Sequence, residues 1–100
     1  MNAAAKVALA LIRETIAAGH YRMTTHFRQR LAERGILWVD LLSVFESPTA
    51  VRDAGDDDHG RPKWNIAGRA ADGEPVEVVC VLDQDHQGRW TILITIFFEQ

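Results

Sequence analysis

Apolar residues in the first half of the chain recur at three- and four-residue intervals; past residue 48 they recur at every second position. Val7, Leu11, Ile12 and Ala18 fall near helical spacing among many alanines, and Gly19 follows as a stop, which predicts a helix over residues 3–18. Residues 20–24 read as a short connection. Thr25 is placed to cap a second helix over 26–34, because its hydroxyl can accept a free backbone N–H. Phe27 and Leu31, four apart, form that helix's apolar side, and Gly35 ends it. A third helix is expected over 38–46, with Val39, Leu42 and Phe45 facing inward and Ser47-Pro48 stopping it.

The two-residue period then predicts strands near 49–54, 63–70, 76–82 and 90–98. The loops between them are short and polar: Gly55 to Gly60, then Ala71 to Glu74 with its Asp72-Gly73 turn signal, then Asp83 to Gly88. Consecutive strands joined in this way imply an up-and-down meander. The expected fold is therefore α+β, with three N-terminal helices packed on a four-stranded antiparallel sheet.

Alternation assigns the faces. In the 63–70 strand, Trp64 and Ile66 oppose Lys63, Asn65, Ala67 and Arg69. In the 76–82 strand, Val76, Val78, Cys80 and Leu82 oppose Glu77, Val79 and Val81. In the last strand, Ile92, Ile94, Ile96 and Phe98 oppose Thr91, Leu93, Thr95 and Phe97. The wholly apolar sets should meet the helices. The opposite face mixes Lys63, Asn65, Arg69, Thr91 and Thr95 with Leu93 and Phe97, which suits a binding surface or an oligomer contact.

Length and composition narrow the class. One hundred residues, 47% of them hydrophobic, make one domain spanning 1–100 with a core of its own. No apolar run approaches the roughly 18 residues of a membrane helix. Lys6 and Arg13 interrupt the apolar stretch at the N-terminus, so it reads as the first helix of a cytoplasmic protein and not as an export signal. Cys80 is the single cysteine and lies in an apolar run, which excludes an internal disulfide and points to a reducing compartment. The net charge of −3 is uneven. Residues 1–47 hold six basic and four acidic groups, or +2; residues 48–100 hold five and ten, or −5. Four arginines against one glutamate fall within 22–34. A local basic patch on an acidic chain suits one specific anionic contact and not bulk coating of nucleic acid.

The chemistry concentrates in the second helix. His26, Arg30 and Arg34 stand at i, i+4 and i+8 and form one stripe beside the Phe27–Leu31 side. Histidine exchanges a proton near neutral pH, and arginine grips a phosphate through paired N–H bonds while keeping its charge. Metal-independent RNA cleavage uses a base for the 2′-hydroxyl, an acid for the leaving oxygen and cations for the phosphorane. The same stripe is also compatible with a solvated face, or with structural pairs to Glu33 and strand-end carboxylates. Elsewhere the signals are weaker. His20, His26, His59 and His86 show no metal-ligand spacing, and Asp56–Asp58 with His59 lacks the alternate ligands and closing Glu of a calcium loop. No cofactor is expected.

His26 with Arg30-Leu31-Ala32-Glu33-Arg34-Gly35-Ile36, then Trp64-Asn65-Ile66-Ala67-Gly68, Val78-Val79-Cys80-Val81 and Thr95-Ile96-Phe97, resemble the domain-of-unknown-function family 4258 (DUF4258) over roughly residues 24–97. That family is similar in layout to the RelE-like toxins of the barnase–colicin–RelE group. The resemblance implies an endoribonuclease toxin partnered by an antitoxin with a small zinc-binding domain. It places the helix motif on His26, Arg30 and Arg34 and the closing-strand motif on Thr95. Phe97 departs from the family, which often has Tyr there, so any proton transfer by that hydroxyl is absent. The expected partners are RNA or the ribosome and an antitoxin protein, with no membrane. On this reading Lys63, Asn65, Arg69 and Thr95 line the RNA path, His26 or Arg30 lies near Thr95, and Lys63 or Arg69 opens onto the same cleft. The alternative is a non-catalytic interaction module, or a homodimer, using the mixed sheet face.

Overall fold

The computed structural model describes residues 1–99 and shows three helices and five strands: α1 (Ala3–Ala17), β1 (Tyr21–Met23), α2 (Thr25–Arg34), α3 (Trp38–Glu46), β2 (Ala50–Asp56), β3 (Pro62–Arg69), β4 (Pro75–Asp85) and β5 (Gly88–Phe98). The class is α+β, but the sheet is five-stranded and mixed, in the order β1-β5-β4-β3-β2. This corrects the expectation of a four-stranded antiparallel meander. Strands β2 to β5 do pair antiparallel in sequence order. The added strand is β1, inside the stretch that reads as a connection. It pairs parallel with β5, Tyr21 to Thr91, Arg22 to Ile92 and Met23 to Leu93. Three residues with one arginine at the centre are too short to display a period, and the pairing they make is about 70 residues distant in sequence.

Each helix has a local reason for its ends. The Asn2 side chain accepts the Ala5 N–H at 2.8 Å and opens α1. The N-cap of α2 is Thr24 and not Thr25: its Oγ1 accepts the Phe27 N–H at 3.0 Å. Gly35 closes α2 in the left-handed region (φ 64°), where a side chain would be strained. At the start of α3, one Asp40 carboxylate oxygen takes the Leu37 N–H at 2.9 Å, and the other takes the Ala71 N–H at 2.9 Å, tying that helix to the β3–β4 turn.

The core lies between the helices and one face of the sheet. Ala5, Ala8, Ile12 and Ile16 from α1, Phe27 from α2 and Leu41, Val44 and Phe45 from α3 meet Trp64, Ile66, Val76, Val78, Cys80, Leu93 and Ile96. Two helix faces differ from expectation. Val7 is 61% and Val39 56% exposed, while Leu41 and Val44 are the deep residues of α3. The apolar stripes are wide enough to allow either rotation, and packing selects one. Cys80 is fully buried, and desolvation pushes its thiol up to about 12, so it remains protonated packing.

A β-bulge in β5 reverses half of that strand. Val79 pairs with Thr95, but Cys80 pairs with Leu93, leaving Ile94 as the extra residue. Thr91 and Leu93 are therefore buried on the helix side, where the Thr91 hydroxyl lies 2.7 Å from that of Thr15 on α1. Ile92, opposite Val81, stands on the other face. Thr91 and Leu93 thus leave the mixed face and Ile92 joins it, because one inserted residue exchanges the faces of everything before it.

Candidate functional site

The bulge also receives the start of α2. Thr24 N–H donates to the Leu93 carbonyl at 3.1 Å, and its hydroxyl donates to the Ile94 carbonyl at 3.0 Å. The chain leaves β1 at that point and α2 runs beside the second half of β5, anchored through buried Phe27. At the second residue of α2, His26 turns toward the helix-free face. Its Nε2 is 3.0 Å from Thr95 Oγ1, a hydrogen bond whose donor depends on the ring tautomer.

From that contact a row of register partners crosses the sheet: Thr95 to Val79, Val79 to Asn65 and Asn65 to Arg52. The adjacent row holds Phe97, Glu77, Ala67 and Ala50, and the row on the other side holds Ile92, Val81 and Lys63. Ala67, Val81 and Ile92 are buried although they stand apart from the helix-side cluster. They form the apolar part of a face that also carries Thr95, Asn65, Arg52 and Lys63.

His26, Thr95 and Asn65 therefore share one row, with Lys63 half-buried in the next. The rest of the stripe follows α2 elsewhere. Arg30 is partly exposed and pairs with Glu33 at 3.5 Å. The Arg34 guanidinium lies 5.9 Å from the Phe98 ring centre, a cation–π distance. Arg69 donates to the Gly73 carbonyl at 2.9 Å and holds the β3–β4 turn, at the far end of the face from His26. Two residues of the face escape the sequence reading. Glu77 is the lone carboxylate within the apolar run 76–82 of β4, and that isolation is the signal that could have found it. Arg52 lies in the strand whose faces have no clear alternation, and its ion pair with Glu77, at 3.1 Å, is visible only in three dimensions.

At the opposite end of the sheet the charges are self-satisfied. Arg61 pairs with Asp57 at 2.8 Å and with Asp83 at 3.3 Å. Burial works to raise the Asp57 pKa, but the Arg61 backbone and guanidinium N–H groups and the His59 N–H outweigh it and hold the carboxyl below its ordinary value. Asp85 is lowered chiefly by the Gln87 N–H, with help from the Trp90 indole against opposing burial. Among the described residues no group of three or more His, Cys, Asp or Glu is placed to hold a metal, and no helix is long and apolar enough to cross a membrane.

The class these features define is a small α+β domain with three helices on one sheet face and a histidine at the rim of the other. The chain belongs to the DUF4258 family: the profile of this domain of unknown function matches residues 23–98, which leaves α1 ahead of the matched stretch. No curated protein matches the sequence.

Proposed function

We propose that this domain is an endoribonuclease of RelE-like toxin type, acting without a metal on RNA laid across the helix-free face. The observation that supports it is the His26–Thr95 contact, which puts a proton-exchanging ring beside a polar row with Asn65 and Arg52. Arg30, partly exposed on α2 one turn beyond His26, would add positive charge beside that face, whereas Arg34, over the Phe98 ring, takes no part. An antitoxin would protect the host by covering this face. The test is incubation of the purified chain with single-stranded RNA in EDTA, beside expression in bacteria without any partner. RNA cleavage and arrested growth are expected, with His26→Ala slowing cleavage by about 10²–10⁴-fold. Intact RNA and normal growth at confirmed soluble levels exclude this function.

A second reading, a homodimer or protein-binding module, draws on the half-buried Phe97 on the same face. It predicts a concentration-dependent dimer in gel filtration that Phe97→Asp disrupts, and a monomer at all concentrations rules the dimer out.

A further inference from the structure

On the helix-free face, the row of register partners next to Thr95 starts at Arg22 on β1 and runs through Ile92 and Val81 to Lys63. In the row after that, Trp90 stands opposite Asp83, whose carboxylate is held by Arg61 at 3.3 Å. The indole is fixed at its edge, where Nε1 donates to Asp85 Oδ1 at 3.1 Å. Two planar groups from the β1 side lie against it. The His20 imidazole stacks on it with ring centres 4.8 Å apart and planes 21° apart, and Arg22 Cζ lies 4.6 Å from its centre. Arg22 keeps donors free: its side chain is 55% exposed, and the carboxylate it pairs with, Asp85, is 3.8 Å away, beyond hydrogen-bond reach.

His20 also borders a cavity of about 350 Å³ between the end of α1 and the start of β5, a size that suits a small planar ligand. Leu11 and Ala18 give it an apolar lining, and the Thr15 hydroxyl in its wall is already engaged by the Ile12 carbonyl and Thr91. Apart from His20, the polar side chains left to meet a ligand are Glu14 and Arg89. Both are exposed, and neither belongs to an ion pair among the described residues. A stacked ring flanked by a carboxylate and a guanidinium is the donor and acceptor set of guanine. That base offers O6 and N7 to an arginine, and its N1–H and amine donate to a carboxylate. Adenine would turn the N1 acceptor against the same carboxylate.

We infer that this cavity is a guanine subsite for the RNA strand, with the base stacked on His20 between Glu14 and Arg89, and with Arg22 on a phosphate between the cavity and His26. The polymer rests on the ribonuclease reading above, to which the subsite adds a sequence preference. From Thr95 back to Trp90, β5 runs roughly 16 Å at about 3.3 Å per residue, so the bound base belongs to a nucleotide beyond the cleaved bond and not at it. Glu14, His20 and Arg22 all precede residue 23, where the match to the family begins. The preference is therefore a property of the N-terminal segment of this chain, set beside a shared stretch that holds His26 and Thr95.

The experiment measures, by fluorescence anisotropy, the affinity of the full chain for short 2′-O-methyl oligouridine strands, which lack the hydroxyl needed for cleavage. One strand carries a single guanine, one a single adenine and one neither; melting temperatures are taken in parallel. The guanine strand should bind about 10-fold more tightly than the other two. Glu14→Ala should abolish that preference and leave the plain strand bound as before. His20→Ala should weaken the guanine strand by about 5–100-fold relative to the plain one, a ratio within one variant that a change in stability does not mimic. Arg22→Gln should weaken all three strands alike, as loss of a phosphate contact does. Equal affinity for the three strands, or a preference that survives Glu14→Ala, overturns the subsite. Guanosine monophosphate binding as tightly as the guanine strand overturns the RNA assignment in favour of a free nucleotide. Cleavage of ordinary RNA is scored separately. A guanine preference with the RNA left intact sinks the ribonuclease reading and keeps the guanine site, whereas cleavage without the preference sinks the subsite alone.

Discussion

At the scale of single residues, close contact is the controlling quantity. Gly68 on β3 meets α3 so tightly that a Cβ there would lie 3.1 Å from the Cα and Cγ1 of Val44 and 3.3 Å from its carbonyl. Two of those atoms are backbone, so the helix itself would have to move. Gly68→Ala is expected to destabilise the domain by about 1–3 kcal/mol, as overpacked cores do, and urea unfolding measures it. An unchanged midpoint would show that α3 shifts freely. The motif Trp64-Asn65-Ile66-Ala67-Gly68 displays the glycine in the sequence, but no spacing indicates that Val44 is what it accommodates. The same limit applies to Glu77: its type is legible at once, and its depth of burial depends on Ala67 and Phe97, contributed by other strands.

Among elements, the junction of β1, α2 and the β5 bulge determines where the chemistry sits. Thr24 serves it twice, accepting the Phe27 N–H and donating to the Ile94 carbonyl, both at 3.0 Å. Thr24→Ala removes a helix cap and a link to the bulge, for an expected loss of about 2 kcal/mol, while Thr24→Ser retains most of it. Because His26 lies two residues beyond, the alanine variant should also weaken the His26–Thr95 contact. Its imidazole resonances in NMR should move toward those of a free side chain, whereas unaltered shifts would mean that Phe27 alone positions the ring. The helix itself was readable from Phe27, Leu31 and Gly35. Its cap was misplaced by one residue, because Thr24 and Thr25 are chemically equivalent and only the docking onto β5 distinguishes them.

Across the whole molecule, the acidic second half is balanced locally by turn hydrogen bonds and by Arg61. The pKa values of Asp57 and Asp85 lie below the ordinary 3.8. A carboxyl lowered by folding contributes stability above its unfolded pKa and loses it as pH falls through the folded value. These two groups therefore leave stability level between about pH 5 and 7 and reduce it below about pH 4. Thermal melting from pH 7 to 2 should show that fall, and Asp57→Asn should start from a lower melting temperature and fall less steeply. A variant that follows the wild-type curve in parallel would assign the acid response to other groups. The charge imbalance was plain in the composition. That the Asp56–Asp58 turn serves to clamp Arg61 could be seen only once Asp83 was brought beside it.

What the sequence by itself determined is local. Alanine content, caps and glycine stops define three helices, and two-residue alternation with polar turns defines four strands that pair in order. The histidine and arginines of α2 are close together along the chain, and the family is carried by short motifs, each legible by itself, spread over residues 23–98. The tertiary structure alone decided the fifth strand, the parallel pairing with β5, and the Ile94 bulge that exchanges the faces of Thr91, Ile92 and Leu93. The physical reason is that a strand's alternation is a relative pattern. Which side is buried depends on its register with a distant partner, and one extra residue reverses it. His26, Thr95, Asn65 and Glu77 share a surface because of that register, formed between segments tens of residues apart, and no period within any one of them encodes it.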